Sequence, residues 1–356
     1  MSVTSTVGHR RDSRPRKQRE RSAALVSRRW AKTGQGVLAM IAVSTAAELS
    51  QITPAVDHPR ASDVGDLRDW LTDELGEVTS GWDRPGGLLG ITKRRVQNAL
   101  RCPASIRAEV EDQPMNEAMA VGMMVDAAAS LLLMSDQLPG RAPWLGPILS
   151  VLRVSAPEMA EFVDRHRPDA KDDLRTQVED MCEQLRLLLG DLRAYDGTAQ
   201  ESFRVQLQAP GVQLSGRTDL VLGTTHRSII EVKSGRFRSH VQDELGFYAL
   251  LAALRDDSAP VAVAAVTLDD TAINAYPVTH DLLEAAAQRV IDAAAVLVEV
   301  DRASVAGAWP KTDPGPLCAW CAAAPRCPDV ADVSLAEFEA HRHDVDLIDM
   351  DEEEPW

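Results

Sequence analysis

The sequence predicts an α/β fold in which helices surround a short mixed sheet, with an added helical region before that core and a cysteine-bearing segment after it. Three observations carry this expectation. From Thr92 to Tyr195 apolar residues recur with helical spacing, from Ser202 to Val232 the period shortens to two, and beyond Ser239 helix and strand patterns alternate. No internal repeat interrupts that order.

The first segment, to about Leu89, holds helical pieces broken by Pro54, Pro59 and Pro85-Gly86-Gly87, and carries no functional signature. From Thr92 a helical pattern passes through Arg95, Val96 and Leu100 and stops at Cys102-Pro103. A long apolar helix is expected from Asn116 to Leu138, then a Pro/Gly linker from Pro139 to Pro147. A further helix from Asp172 to Tyr195 places Val178, Met181, Cys182, Leu185, Leu188 and Leu189 on one face, so Cys182 reads as a core residue. Strands are expected over Ser202–Gln208, Val212–Leu222 and Ser228–Val232, with turns at Gly211 and Gly223-Thr224-Thr225. Helices over Ser239–Leu254 and Asp281–Val300 enclose one more strand, Val261–Leu268. The resulting organisation is an arm (1–35), a helical segment (36–89), a core domain (90–330) and a tail (331–356).

With 356 residues, 45% of them apolar, the chain can bury one large core or two modest ones. The apolar run Gly36–Ala47 is too short to span a bilayer and no cleavage pattern follows it, so a cytoplasmic protein without membrane attachment is expected. The net charge of −16 weighs against a nucleic-acid partner as a sum, but its distribution is uneven. Residues 1–35 carry ten Lys or Arg against Asp12 and Glu20, a local +8 that leaves −24 on the rest. That arm lacks an apolar repeat and reads as disordered, with basic side chains suited to phosphate. Asp344 to Glu354 holds seven acids and no base, a tail that repels DNA and suits solubility or docking.

The expected sheet concentrates the chemistry. Asp219 falls on the apolar stretch Leu214–Leu222, and Glu231 and Lys233 stand two apart on the next strand, so alternation puts the latter pair on one face. Two carboxylates and a lysine at a sheet edge can hold a hard cation such as Mg²⁺ through oxygen and orient an attacking water. Phosphodiester hydrolysis needs that combination, because negative charge develops on both the entering and the leaving oxygen. On the helix that follows, Glu244 and Tyr248 are four apart and share a face.

Gly216-Arg217-Thr218-Asp219, Glu231-Val232-Lys233 and Tyr248 together resemble the RecB-like branch of the PD-(D/E)xK nuclease superfamily, which shows G-x-x-D, (D/E)-x-K and Q-x-x-x-Y in that order. The resemblance implies a restriction-endonuclease-like core, with Asp219 and Glu231 as ligands of Mg²⁺ or Mn²⁺. It makes Lys233 the residue that orients water, with Glu244 and Tyr248 positioning the site. Glu244 stands where the family has Gln. The family's G-x-x-x-H falls on Gly122-Met-Met-Val-Asp126, so Asp126 replaces a metal-holding His and becomes a third carboxylate ligand. An Asp flanked by Met123, Met124, Val125 and Ala127 is costly to bury without a partner, which points the same way.

Cys318-x2-Cys321-x5-Cys327-Pro328 supplies three thiols close in sequence, and Cys102-Pro103 a fourth, far upstream. Four thiolates suit tetrahedral zinc or a [4Fe-4S] cluster, and spacing alone leaves both open. A zinc ribbon normally brings two C-x-x-C pairs. The one-plus-three layout bracketing the nuclease motifs resembles the iron-sulfur nucleases of CRISPR spacer acquisition and the AddB-type repair nucleases. This resemblance, over about residues 90–330, implies a [4Fe-4S] cluster pinning the C-terminal segment to the helix that ends at Cys102.

The expectation is therefore a metal-dependent nuclease acting on single-stranded or end-bearing DNA in repair, recombination or mobile-element defence. No phosphate-binding loop of the G-x-x-x-x-G-K-[ST] type occurs, so any unwinding falls to a helicase or other defence or repair partner. The competing expectation is a non-cleaving scaffold that binds DNA or protein. A zinc-stabilised structural protein is the third.

Overall fold

The computed structural model describes residues 40–330 apart from 83–86, 111–115, 135–142, 166–167, 191, 208–210, 316–317, 319–320 and 322. The basic arm and the acidic tail lie outside the described residues.

In chain order the elements are strand β1 (Ile41–Val43), helix α1 (Ala46–Leu49), helix α2 (Ala61–Val78), strand β2 (Leu89–Thr92) and helix α3 (Lys93–Arg101). There follow helices α4 (Glu117–Met134), α5 (Leu145–Ser155), α6 (Pro157–Asp164) and α7 (Pro168–Leu189). Strands β3 (Gly197–Ala199), β4 (Ser202–Gln206), β5 (Val212–Arg217), β6 (Leu220–Leu222) and β7 (Ser228–Lys233) come next. Helix α8 (Ser239–Asp256), strands β8 (Ala262–Thr267) and β9 (Ala272–Pro277) and helix α9 (His280–Val305) complete the core. This is the mixed α/β architecture expected.

The strands form two sheets rather than one. A six-stranded sheet runs β1-β9-β8-β7-β6-β3 and a three-stranded sheet runs β2-β5-β4. The segment read as a single strand, Val212–Leu222, is in fact two: β5 belongs to the small sheet and β6 to the large one. The break falls at Thr218-Asp219, where the Thr218 N–H donates to the Glu201 carbonyl (3.0 Å) and the Gln200 N–H to the Asp219 carbonyl (2.8 Å). The polar run Ser215–Asp219 interrupts the apolar pattern at this point, but a polar run inside a strand does not by itself say that the chain changes sheet. Strands β1, β2 and β3, of three or four residues, escaped the reading because runs so short carry too little periodicity, and the six-residue β9 escaped it as well.

Two boundaries also move. Helix α5 starts at Leu145, inside the expected linker, with Pro147 in its first turn. An amide there has no intrahelical acceptor, so proline costs nothing. Helix α4 is described to Met134, and the rest of its expected span lies outside the described residues.

Helix α4 is long and apolar enough to cross a membrane by length and composition, but in this fold it is the central core helix. Its Ala120, Met124 and Ala128 are fully buried, packed with α5, α6, α7 and one face of the large sheet that includes Leu220, Ile230, Val232 and Val266. Cys182 of α7 lies in the same core, and burial pushes its thiol up to about 12. With Ile230 and Val232 turned toward α4, alternation along β7 turns Glu231 and Lys233 to the opposite face, where α8 packs.

Candidate active site

The register of the large sheet determines where the carboxylates meet. Strands β6 and β7 pair antiparallel with Leu220 opposite Ile230, so continuing the ladder by one residue sets Asp219 across from Glu231. Asp219 is buried, and its Oδ2 accepts the Val232 N–H at 2.8 Å. That bond ties the junction between the two sheets to β7.

Gly216 shows why a glycine precedes this junction. A Cβ there would lie 2.9 Å from Leu251 Cδ1 and 3.0 Å from Tyr248 Cε1, so only a bare backbone lets α8 approach β5 this closely. The contact positions Tyr248, whose hydroxyl donates to the Arg217 carbonyl at 2.9 Å. Its phenol is pushed up by burial and by the charges of Glu231 and Asp219, so it remains a donor.

Glu231 is divided between two environments. Its Oε1 receives the Lys93 ammonium at 2.7 Å and the Lys233 ammonium at 3.1 Å, while its Oε2 is buried and receives no hydrogen bond. Glu244 of α8 is the second acceptor for the same two lysines, at 3.0 Å from Lys93 and 2.6 Å from Lys233, and its other oxygen takes the Gln97 amide at 2.7 Å. Two carboxylates and two ammonium groups thus form a closed ring of charge-assisted hydrogen bonds. Burial alone would raise the Glu244 carboxyl, but Lys93 and Lys233 outweigh it and hold it at about 2. Burial works to lower both lysines, and the two glutamates reverse that, so each stays an ammonium. In this state Lys233 can orient or polarise a water but cannot take its proton.

Asp126 of α4 enters from the other side of the sheet. Burial and then the charge of Glu231 push its carboxyl up to about 6. Asp219 is raised by burial and by the charges of Glu231 and Asp126. Three carboxyls within electrostatic reach of one another, one with a buried oxygen lacking any donor, form a donor set deficient in positive charge, which fits a hard divalent cation. Among the described residues no three His, Cys, Asp or Glu side chains are already gathered tightly enough to hold an ion. Oε1 of Glu231 and Oδ2 of Asp219 are spent on lysine and backbone instead.

Lys93 and Gln97 were not anticipated from sequence. A signal was there: α3 opens with Lys93-Arg94-Arg95 and no acid in its first turn. Bases at a helix N-terminus oppose the helix dipole, so such a run calls for acidic partners elsewhere in the fold.

The four cysteines of interest lie where the C-terminal segment returns to the end of α3. Cys102 caps that helix and its Sγ receives the Asp313 N–H at 3.4 Å; Cys318 Sγ receives the Gly315 N–H at 3.3 Å. Cys327 is buried with Ala324 and Val330, and Cys318 and Cys321 pack against that small cluster. The Cys321 thiol is raised by burial, with Cys318 and Cys102 adding to it, so their charges reach one another. All five cysteines are unbridged. Four sulfurs drawn from both ends of the domain, two of them accepting backbone N–H groups, make a donor set of the kind a soft metal group takes, although among the described residues the sulfurs are not closed around one point. The segment is also held by the Ala104 N–H to the Lys311 carbonyl (3.1 Å), by Arg107 to the Ala308 carbonyl (2.7 Å) and by the Arg107 guanidinium 4.9 Å from the Trp309 ring centre.

Comparison with known proteins fits this geometry. Residues 92–328 match the family model described as the PD-(D/E)XK nuclease superfamily. No curated protein matches the chain significantly. Among solved structures the chain is similar to one described as the crystal structure of SSO0001. The two are 14% identical over 74% of this chain and 96% of that one, with a TM-score of 0.31, too low to carry an argument.

Proposed function

Since this chain belongs to the PD-(D/E)XK nuclease superfamily, we propose that it is a metal-dependent DNA nuclease. It acts on single strands or ends, in repair, recombination or mobile-element defence, and carries a [4Fe-4S] cluster on Cys102, Cys318, Cys321 and Cys327. The observation that carries the proposal is the Glu231 carboxylate, with one oxygen clamped by two lysines, the other buried without a donor, and the carboxyls of Asp219 and Asp126 within its electrostatic reach.

In this reading Asp219, Glu231 and Asp126 hold Mg²⁺ or Mn²⁺, which when bound supplies Lewis-acid stabilisation of charge on the phosphate oxygens. The Lys233 ammonium donates a hydrogen bond to the entering water and fixes its line of approach to phosphorus. As the water oxygen bonds to phosphorus it gives up a proton to solvent, the opposite P–O bond breaks, and the leaving oxygen departs as an alkoxide that solvent protonates. Tyr248 keeps the Asp219 junction in place through the Arg217 carbonyl. Glu244 positions Lys233. The cysteine centre is structural, since hydrolysis transfers no electrons. The one-plus-three cysteine spacing and the N–H donors on two of the sulfurs support it.

The test is cleavage of single-stranded and end-bearing DNA with Mg²⁺ or Mn²⁺ by protein purified without oxygen. Asp219→Ala, Glu231→Ala and Lys233→Ala should each slow it by about a thousandfold or more while the chain stays folded. No cleavage of any DNA by metal-replete protein would transfer the proposal to the non-cleaving scaffold. A colourless protein with stoichiometric zinc would remove the iron-sulfur cluster and leave the nuclease standing.

A further inference from the structure

We infer that Lys93 is a positioning residue of the active site, a second lysine that works with Lys233 to hold Glu231 in a metal-ready orientation and to carry the buried charge of Glu244. The inference deepens the nuclease reading and rests on it.

The geometry has three parts. Lys93 Nζ lies 2.7 Å from Glu231 Oε1 and 3.0 Å from Glu244 Oε2, and 5.2 Å from the centre of the Tyr248 ring, so it touches three of the side chains singled out by the sequence motifs. It occupies the side of Glu231 opposite to the unpartnered Oε2 in hydrogen-bonding terms, fixing which oxygen remains free. Its backbone is also well anchored. Lys93 is the first residue of α3, directly after β2, whose Leu89–Thr92 pair in parallel with Val212–Ser215 of the strand leading to Asp219. Ring and strand register therefore place Lys93 from the same sheet that delivers the junction.

Charge makes the role necessary. Asp126, Asp219, Glu231 and Glu244 bring four potential negative charges to a buried site, and Lys233 alone would leave three uncompensated. Lys93 and one divalent cation close the balance; since loss of the Lys93 charge would by itself favour a cation, the loss of binding expected on its removal is one of Glu231 orientation. Without Lys93, the single remaining ammonium must divide itself between Glu231 and Glu244, and it already lies closer to Glu244 (2.6 Å against 3.1 Å). Glu231 is then free to turn, and the cost appears in metal binding. Glu244 and Lys93 are accordingly one functional pair, because removing the Glu244 charge releases Lys233 to serve Glu231 alone.

The experiment measures Mn²⁺ binding by titration calorimetry without DNA, alongside the metal dependence of cleavage. Lys93→Met should weaken Mn²⁺ binding and raise the half-maximal metal concentration by about tenfold or more, and Lys93→Arg should recover most of the loss. In the double variant Lys93→Met/Glu244→Gln the effects should be strongly non-additive, with much of the binding restored. A lysine that merely anchors α3 would lower thermal stability and leave both metal titrations at wild-type values, which would overturn the inference. Additive single and double variants would overturn it too, as would wild-type protein that binds no Mn²⁺. Wild-type protein that binds Mn²⁺ but cuts no DNA would remove the nuclease reading, while the calorimetric series would still decide the role of Lys93. Should Lys93→Met fail to fold, Lys93→Gln, which keeps a donor, is expected to show the same loss in smaller measure.

Discussion

The carboxylate junction and the cysteine segment are joined by one nine-residue helix, α3, yet they are held in different ways. At the junction every group is placed by the sheets: Asp219 by the register of β6 on β7, Glu231 and Lys233 by alternation, and Glu244 and Tyr248 by a helix pressed onto a glycine. At the other end of α3 the described residues from Trp309 to Val330 hold neither α-helix nor strand, and Ala324–Arg326 form a short 3₁₀ turn. A few backbone hydrogen bonds and a small apolar cluster bring them back to Cys102. The first region is preorganised by the fold even at the expense of stability, since it buries like charges. The second, on the proposed reading, would draw its cohesion from a group bound to its thiols.

The sharpest way to break that contrast is to change one proposed ligand in each region. Asp219→Asn keeps an oxygen for the Val232 N–H and removes a repelling charge. Thermal stability should stay level or rise while cleavage falls by about a thousandfold, as measured by melting and by rate. Cys327→Ser should do the reverse to the C-terminal segment: bound metal is lost and limited proteolysis cuts between 306 and 330, because ligand binding there is folding free energy. Equal melting losses in both variants would show that the two regions share one source of stability.

A smaller effect is expected at the helix contact. Gly216→Ala meets Leu251 and Tyr248 at 2.9–3.0 Å and should cost about 1–3 kcal/mol in denaturant unfolding, with activity falling as Tyr248 is displaced. Unchanged stability would mean that α8 can retreat from β5, and that the junction is less rigid than argued. The smallest effect belongs to Arg107→Ala, which removes the bond to the Ala308 carbonyl and the Trp309 contact. The bond lies at the surface, so its loss should cost only about 0.5–1 kcal/mol, read as faster amide exchange around 308–313 with the sheets unaffected.

Much of the site could be read in the chain because its parts are local. Glu231 and Lys233 share a face by the period of a strand, Glu244 and Tyr248 by the period of a helix, and the glycine, aspartate and cysteine spacings are fixed along the backbone. Those constraints determined the α/β class, the candidate ligands and the family resemblance. What tertiary structure decided is everything that depends on which segment lies beside which. It split Val212–Leu222 between two sheets, because the polar run Ser215–Asp219 between two apolar pieces does not say which sheet each piece joins. It brought Asp126 to the acids across the large sheet. It also carried Lys93 and Gln97, 138 and 147 residues from their respective partners Glu231 and Glu244, into a ring that no spacing rule describes. Sequence periodicity records the face a residue presents; only the packing of distant segments sets the charge it meets there.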